Sequence, residues 1–132
     1  MNAIIKDEFY QILGKLFFAV AAADHKITQA ERKALHQLVK KVWNSQEAGK
    51  DPFGTDLAEE IEFSFDFEEE NALPDDDFAE FSDFFRRNRT LFNKVTRDNI
   101  MKTARAIATA YRRENKEEKK ILAKLNTLLN SK

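Results

Sequence analysis

Apolar side chains recur along most of this chain at spacings of three and four, and very little interrupts them. Ile5, Phe9, Ile12, Leu13, Leu16, Phe17 and Val20 form one row, and Leu35, Leu38, Val39, Val42 and Trp43 a second. Ile100, Ala104, Ile107, Ala108 and Tyr111 form a third, and Ile121, Leu122, Leu125, Leu128 and Leu129 a fourth. Successive helical residues are separated by roughly 100°, so positions three and four apart share a face and each row is the buried side of an α-helix. Three Gly and two Pro in 132 residues are too few for the many tight turns of an all-β sandwich. The spacing predicts an all-α fold: one compact helical bundle of about six to seven helices over residues 1–132.

The expected first helix covers residues 3–23 and ends at Asp24-His25, His being a residue enriched at positive φ. Thr28-x-x-Glu31 is a capping box that opens the second helix, with Trp43 at its far end in the core. Residues 44–54, with Gly49, Pro52 and Gly54 as breakers, read as a connection. Residues 57–70 read in two ways. Ile61, Phe63, Phe65 and Phe67 alternate with Glu62, Ser64 and Asp66, as in a half-buried strand. Leu57, Ile61 and Phe65 also make a helical stripe behind Asp56-x-x-Glu59. A lone strand needs a partner and no second alternating run exists, so a helix is expected, with Phe63 and Phe67 off its stripe. Those two could lie under another helix or form an apolar docking surface for a protein partner. Asp77-x-x-Glu80 is expected to cap a short helix carrying Phe78, Phe81, Phe84 and Phe85. A long helix is expected over 96–113, and Asn115-x-x-Glu118 caps the last.

Charge is sharply segregated behind a net value of −1. Residues 51–85 hold fourteen acids and no Lys or Arg, whereas residues 86–132 hold fourteen Lys plus Arg against four acids. Mutual attraction between the acidic middle and the basic tail is one reading, and an anionic partner for the tail is the other. Lys116, Lys119, Lys120 and Lys124 fall on one stripe of the last helix, which suits either a solvated face or an anionic membrane surface. Only Phe92 and Tyr111 interleave with the basic residues, too few stacking platforms for a nucleic-acid interface.

Several chemistries are excluded or disfavoured. There is no Cys, hence no disulfide and no thiolate ligand or nucleophile. No glycines cluster to cradle a phosphate, so no nucleotide is expected. Ser45, Ser64, Ser82 and Ser131 lack a Gly-flanked elbow. His25 and His36 make no His-x-x-x-His spacing, and Asp75-Asp76-Asp77 lacks the alternation of a calcium loop. The residues favour a non-enzyme. The start carries no leader pattern, and the apolar stretch at 12–23 is broken by Lys15 and falls short of the ~18–20 residues a bilayer needs, so a cytoplasmic protein is expected.

Shifting the sequence by 87 lays residues 19–38 on 106–125 with seven of twenty positions identical, Ala19, Ala21, Ala23, Glu31, Lys33, Leu35 and Leu38 among them. Each copy is an Ala-rich helix end, a loop, a cap and a Leu-lined helix. The run from Ala21 through Asp24, His25, Lys26, Ile27 and Thr28 to Glu31, followed by Leu35, resembles the Ala-Asp-Gly-x-Ile-x-x-x-Glu hairpin of TerB-like domains, the tellurite-resistance protein B family. The resemblance spans about residues 13–129, the middle matching only in length and helical character. It implies an all-helical bundle with pseudo-twofold hairpin repetition and no enzymatic activity. Family members are associated with tellurite and other stress resistance, with inner-membrane partner complexes, and with a membrane-anchored DnaJ-like co-chaperone.

The resemblance thus implies a protein partner, with the hairpin, His25 and Lys26 included, as a contact region beside the Phe63 and Phe67 surface read from the spacing, and with a peripheral position at the inner membrane as a further implication. It requires no cofactor. Because some members gather carboxylates for divalent cations, it also implies Asp24 and Glu31 as ligands for calcium, manganese or zinc. His25 stands where the family has Gly, and Tyr111 where the second copy has its aspartate, so the paired acidic arrangement is halved. For Glu31 the capping box is the competing role, and for Asp24 local hydrogen bonding in a loop.

Overall fold

The row of apolar residues in the first helix becomes the axis of the molecule. The computed structural model describes residues 3–23, 27–44, 57–110 and 116–131. They form six α-helices: α1 (Ala3–Ala21), α2 (Gln29–Leu38), α3 (Glu60–Asn71), α4 (Pro74–Arg87), α5 (Lys94–Thr109) and α6 (Lys116–Leu129). A π-helical turn (Val39–Trp43) extends α2, and short 3₁₀ turns lie at Leu57–Glu59 and Arg89–Leu91. Leu13, Leu16, Phe17 and Val20 of α1 are fully buried. Around them pack α3, α4, α5 and α6. The all-α bundle expected from the spacing is the fold observed. Asp24, His25, Lys26, residues 45–54 of the expected connection, Asp56 of the expected cap, Tyr111 and Asn115 lie outside the described residues.

The two repeated hairpins interlock. α2, the second helix of the first copy, packs chiefly on α5, the first helix of the second copy, while α6 packs on α5 and reaches α1. The Ala-rich helix ends permit the approach: Ala19, Ala21, Ala104 and Ala108 are all buried. The π-turn carries the chain from α2 into this seam, closing with Asn44 N–H donating to the Val39 carbonyl at 2.7 Å. A π-turn adds a residue to the helical circuit, and here Val39 and Trp43 are both buried. Trp43 packs near Phe17, and its Nε1–H donates to Thr103 Oγ1 of α5 at 3.0 Å. Trp43→Phe keeps most of the apolar area but removes the indole donor, leaving the buried Thr103 hydroxyl only its bond to the Asn99 carbonyl, so it is expected to cost about 1–2 kcal/mol in urea unfolding.

At the other end of α1, the ring of Phe92 is met by Phe9, Phe81, Phe84 and Phe85 at centroid distances of 5.5, 6.0, 6.2 and 4.9 Å. Edge-on and tilted geometry lets the rings fill volume while opposing their quadrupoles favourably. Between α1 and α3 the fit is closer than side chains allow elsewhere. A Cβ on Gly14 would lie 2.4 Å from the Ile61 carbonyl oxygen and 2.5 Å from Ser64 Cβ, and Ser64 Oγ donates to the Gln11 carbonyl at 2.7 Å.

Three expectations need correction. α4 begins at Pro74, with extended Leu73 before it, so Asp77 is inside the helix and does not cap it. Pro suits a first helical turn because its missing N–H has no acceptor there anyway. α5 (Lys94–Thr109) starts before the expected residue 96, because Asn93 Oδ1 accepts the Thr96 N–H, and residues 111–113 of the expected helix lie outside the described residues. The acidic middle and the basic tail, finally, make no inter-helix ion pair with each other among the described residues. Among the described residues the inter-helix ion pairs of the middle run to the first forty residues, Lys15 of α1 to Glu68 and Glu80 and Arg32 of α2 to Glu69, and His36 of α2 hydrogen-bonds Glu62.

Candidate functional site

Alternating Phe residues have a particular fate in a helix. Residues two apart are separated by roughly 200°, so Phe65 and its neighbours 63 and 67 fall on opposite sides of α3. Ile61, Phe65 and Glu68 turn inward and are buried. Phe63 and Phe67, one turn apart, share the outer face and are 55% and 64% exposed. Of the other described Phe residues, eight are buried and Phe78 is half-buried. The two side chains thus form a single outward pair among described residues that otherwise hide this residue type.

The rim of that pair is acidic. On the helical projection Glu59, Asp66 and Glu70 lie on one flank of Phe63 and Phe67, and Glu60 lies on the other. Glu62 and Glu69 lie further round the flank of Asp66, toward α2, where they meet His36 at 2.7 Å and Arg32 through a two-pronged contact. That hydrogen bonding to Arg32 holds the Glu69 carboxyl below its ordinary range. Between α2 and α3 lies an open cleft of about 440 Å³ whose lining includes Arg32, His36, Glu62 and Asp66. The charges fastening α3 to the bundle are therefore consumed on its inner flank, and the outer carboxylates surround the Phe pair.

A second polar group lies behind α3. Lys15 Nζ bridges Glu68 Oε1 at 3.2 Å and Glu80 Oε2 at 2.5 Å. Asp77 is only 2% exposed beside them, and its Oδ2 makes no hydrogen bond. Burial, reinforced by the Glu68 carboxylate, pushes Asp77 up to about 7. Burial also presses on Lys15, but its hydrogen bonds to Glu80 and Glu68 prevail and hold it above the ordinary lysine value. One ammonium shared by the buried Glu68 and the exposed Glu80 carboxylates ties α1, α3 and α4 together.

Among the predicted ligands, Glu31 is buried at the third position of α2, where Oε1 accepts from Thr28 N–H at 2.8 Å and Thr28 Oγ1 accepts from Glu31 N–H at 3.2 Å. The capping box is present in full. Asp24, His25 and Lys26 lie outside the described residues, so the geometry joins no second carboxylate to Glu31. Among the described residues no group of three or more His, Asp or Glu is placed to hold a metal ion. Lys116, Lys119, Lys120 and Lys124 are all exposed along α6. Asp77 and Lys15 are what sequence reading missed: a buried acid gives no signal when it follows two exposed ones. No helix among the described residues is long and apolar enough to cross a membrane. Comparison with protein-family models, with curated proteins and with solved structures gave no match to this chain.

Proposed function

We propose that this chain is a non-catalytic helical protein-interaction domain whose contact surface is the outer face of α3. The observation that carries the reading is the paired exposure of Phe63 and Phe67, 55% and 64%, against the burial of eight other Phe residues. Folding gains about 25 cal/mol for each Å² of apolar area removed from water, so leaving two large rings outside forgoes stabilisation that a partner recovers. The acidic rim selects that partner. Two copies meeting through this face would set Glu59, Asp66 and Glu70 against one another, whereas a segment carrying apolar side chains beside Lys or Arg meets both the rings and the carboxylates. The TerB-like resemblance of the hairpin supports a place in a stress-resistance (tellurite-resistance-like) or envelope-associated system at the cytoplasmic side.

A photo-crosslinking side chain introduced at position 67, with position 102 of α5 as control, tests this in cells. Lys102 is exposed on a different helix. The expected result is a discrete adduct from 67 only, to a protein whose affinity for the purified domain falls at least tenfold in Phe63→Ser/Phe67→Ser, about 1.4 kcal/mol. Thermal midpoints of wild type and double variant should agree. Equal adducts from both positions, or unchanged affinity in the variant, would remove α3 from the proposal.

A further inference from the structure

α4 and α6 both lean on α1, and between them they leave a groove of about 870 Å³. Its base is low and apolar. Ala19 and Ala22 at the end of α1 are buried side chains with little reach, and Phe78 of α4 and Ile121 of α6 complete the base from either wall. A helix with its side chains is about 10 Å across and climbs about 5.4 Å per turn, so each turn fills roughly 400 Å³ and the groove matches about two turns.

The walls carry opposite net charge. On α4, Asp75, Asp76 and Asp83 outnumber Arg86, and on α6, Lys120 and Lys124, one turn apart, outnumber Glu117. All seven are exposed. Among the described residues the only ion pair any of them enters is the 3.9 Å contact of Asp83 with Arg86 on its own helix. Across the groove the two rows do not meet, so each keeps its charge for whatever lies between.

We infer that this groove takes an α-helical segment of another protein, about two turns long, with an Ala/Leu ridge on the α1 base, Lys or Arg against α4 and Asp or Glu against α6. A ligand of one sign meets repulsion at one wall, which disfavours a polyanion or an anionic bilayer. A second copy is disfavoured because the described helices of this chain turn their apolar ridges inward, α3 excepted, and both flanks of α3 are acidic. The groove and the outer face of α3 share no residue, so this site stands apart from the one proposed above.

Three stapled helical peptides of about fourteen residues sharing one Ala/Leu ridge test the inference by fluorescence anisotropy. One has Lys on one flank and Glu on the other, one has Lys on both, and one has Glu on both. The split peptide is expected to bind at least about fivefold tighter than either uniform one, and the margin to shrink as salt rises. Lys120→Glu/Lys124→Glu makes both walls acidic, so the doubly Lys-flanked peptide should become the tightest. Ala79→Trp, at an exposed groove position, should weaken the split peptide at least tenfold with unchanged circular dichroism. Phe63→Ser/Phe67→Ser should leave its affinity within about twofold. Absence of saturable binding up to about 1 mM overturns the inference, as does a rank order that survives the charge swap. A concentration-dependent dimer abolished by Ala79→Trp also overturns it, by giving the groove to a second copy.

Discussion

Gly14→Ala is expected to destabilise the fold by about 2–3 kcal/mol, although alanine is the better helix former by about 1 kcal/mol in a helix interior. The new methyl carbon would sit 2.4 Å from a backbone oxygen and 2.5 Å from a β-carbon, distances that no rotamer change relieves. α1 and α3 must therefore separate, which loosens Leu13, Ile61 and Phe65 together and strains the Ser64–Gln11 bond. Urea unfolding should show a lower midpoint with an unchanged slope. Ser64→Gly in the same chain removes one of the two collisions and should recover part of the loss, although the Ile61 carbonyl remains in the way. A Gly14→Ala protein as stable as wild type would mean that the helices do not cross this closely.

Asp77→Asn should stabilise the protein, and by more as the pH rises. The folded-state value of about 7 lies above the ordinary 3.8. Below pH 4 both folded and unfolded chains hold the proton and the residue is neutral in its effect. Between pH 4 and 7 the unfolded chain releases it while the folded chain keeps it, so stability falls across this window and the penalty is complete above pH 7. A shift of three units corresponds to about 4 kcal/mol. About half of that is expected, because the first turns of α4 supply amide dipoles that favour an anion. At pH 8 the variant should therefore gain about 2 kcal/mol over wild type, and at pH 4 nothing. Subtracting the two pH profiles cancels the opposite trend from Glu69, whose lowered value contributes stability that is lost as the pH falls through it. A difference that does not vary with pH would show that Asp77 is ionised throughout.

The two positions illustrate what a linear reading can and cannot recover. Helices were legible wherever burial follows their period, and even the alternating Phe run resolved correctly, because a strand without a partner has nowhere to satisfy its backbone. The same spacing put Phe63 and Phe67 outside the stripe, which is the legible part of the candidate site. The Asp77 cap failed because an Asp three residues before a Glu has the same pattern within a helix as at its start, and Leu73-Pro74 was the stronger signal. Gly14 has no local mark, since its need for a bare Cα is created by Ile61 and Ser64 about fifty residues away. Charge segregation was visible, but its partners were not: a cation at position 15 or 32 is ordinary until the fold sets an acidic helix beside it. The groove likewise exists only because two helices lean on a third.

The interlocked hairpins also set a timetable for synthesis. Leu35, Val39 and Trp43 are translated early, yet the main cover of α2 is α5, and the hydroxyl that receives the Trp43 indole is 60 residues downstream. At ~5–20 residues per second the ribosome needs about 3–13 s to carry the chain from Trp43 to the end of α5. During that interval a Trp-bearing apolar ridge lacks its α5 mate, and the earliest helical hairpin to emerge is among the last to be sealed. A nascent chain arrested before residue 94 should therefore present this ridge to holdases and proteases, and one arrested beyond residue 131 should not.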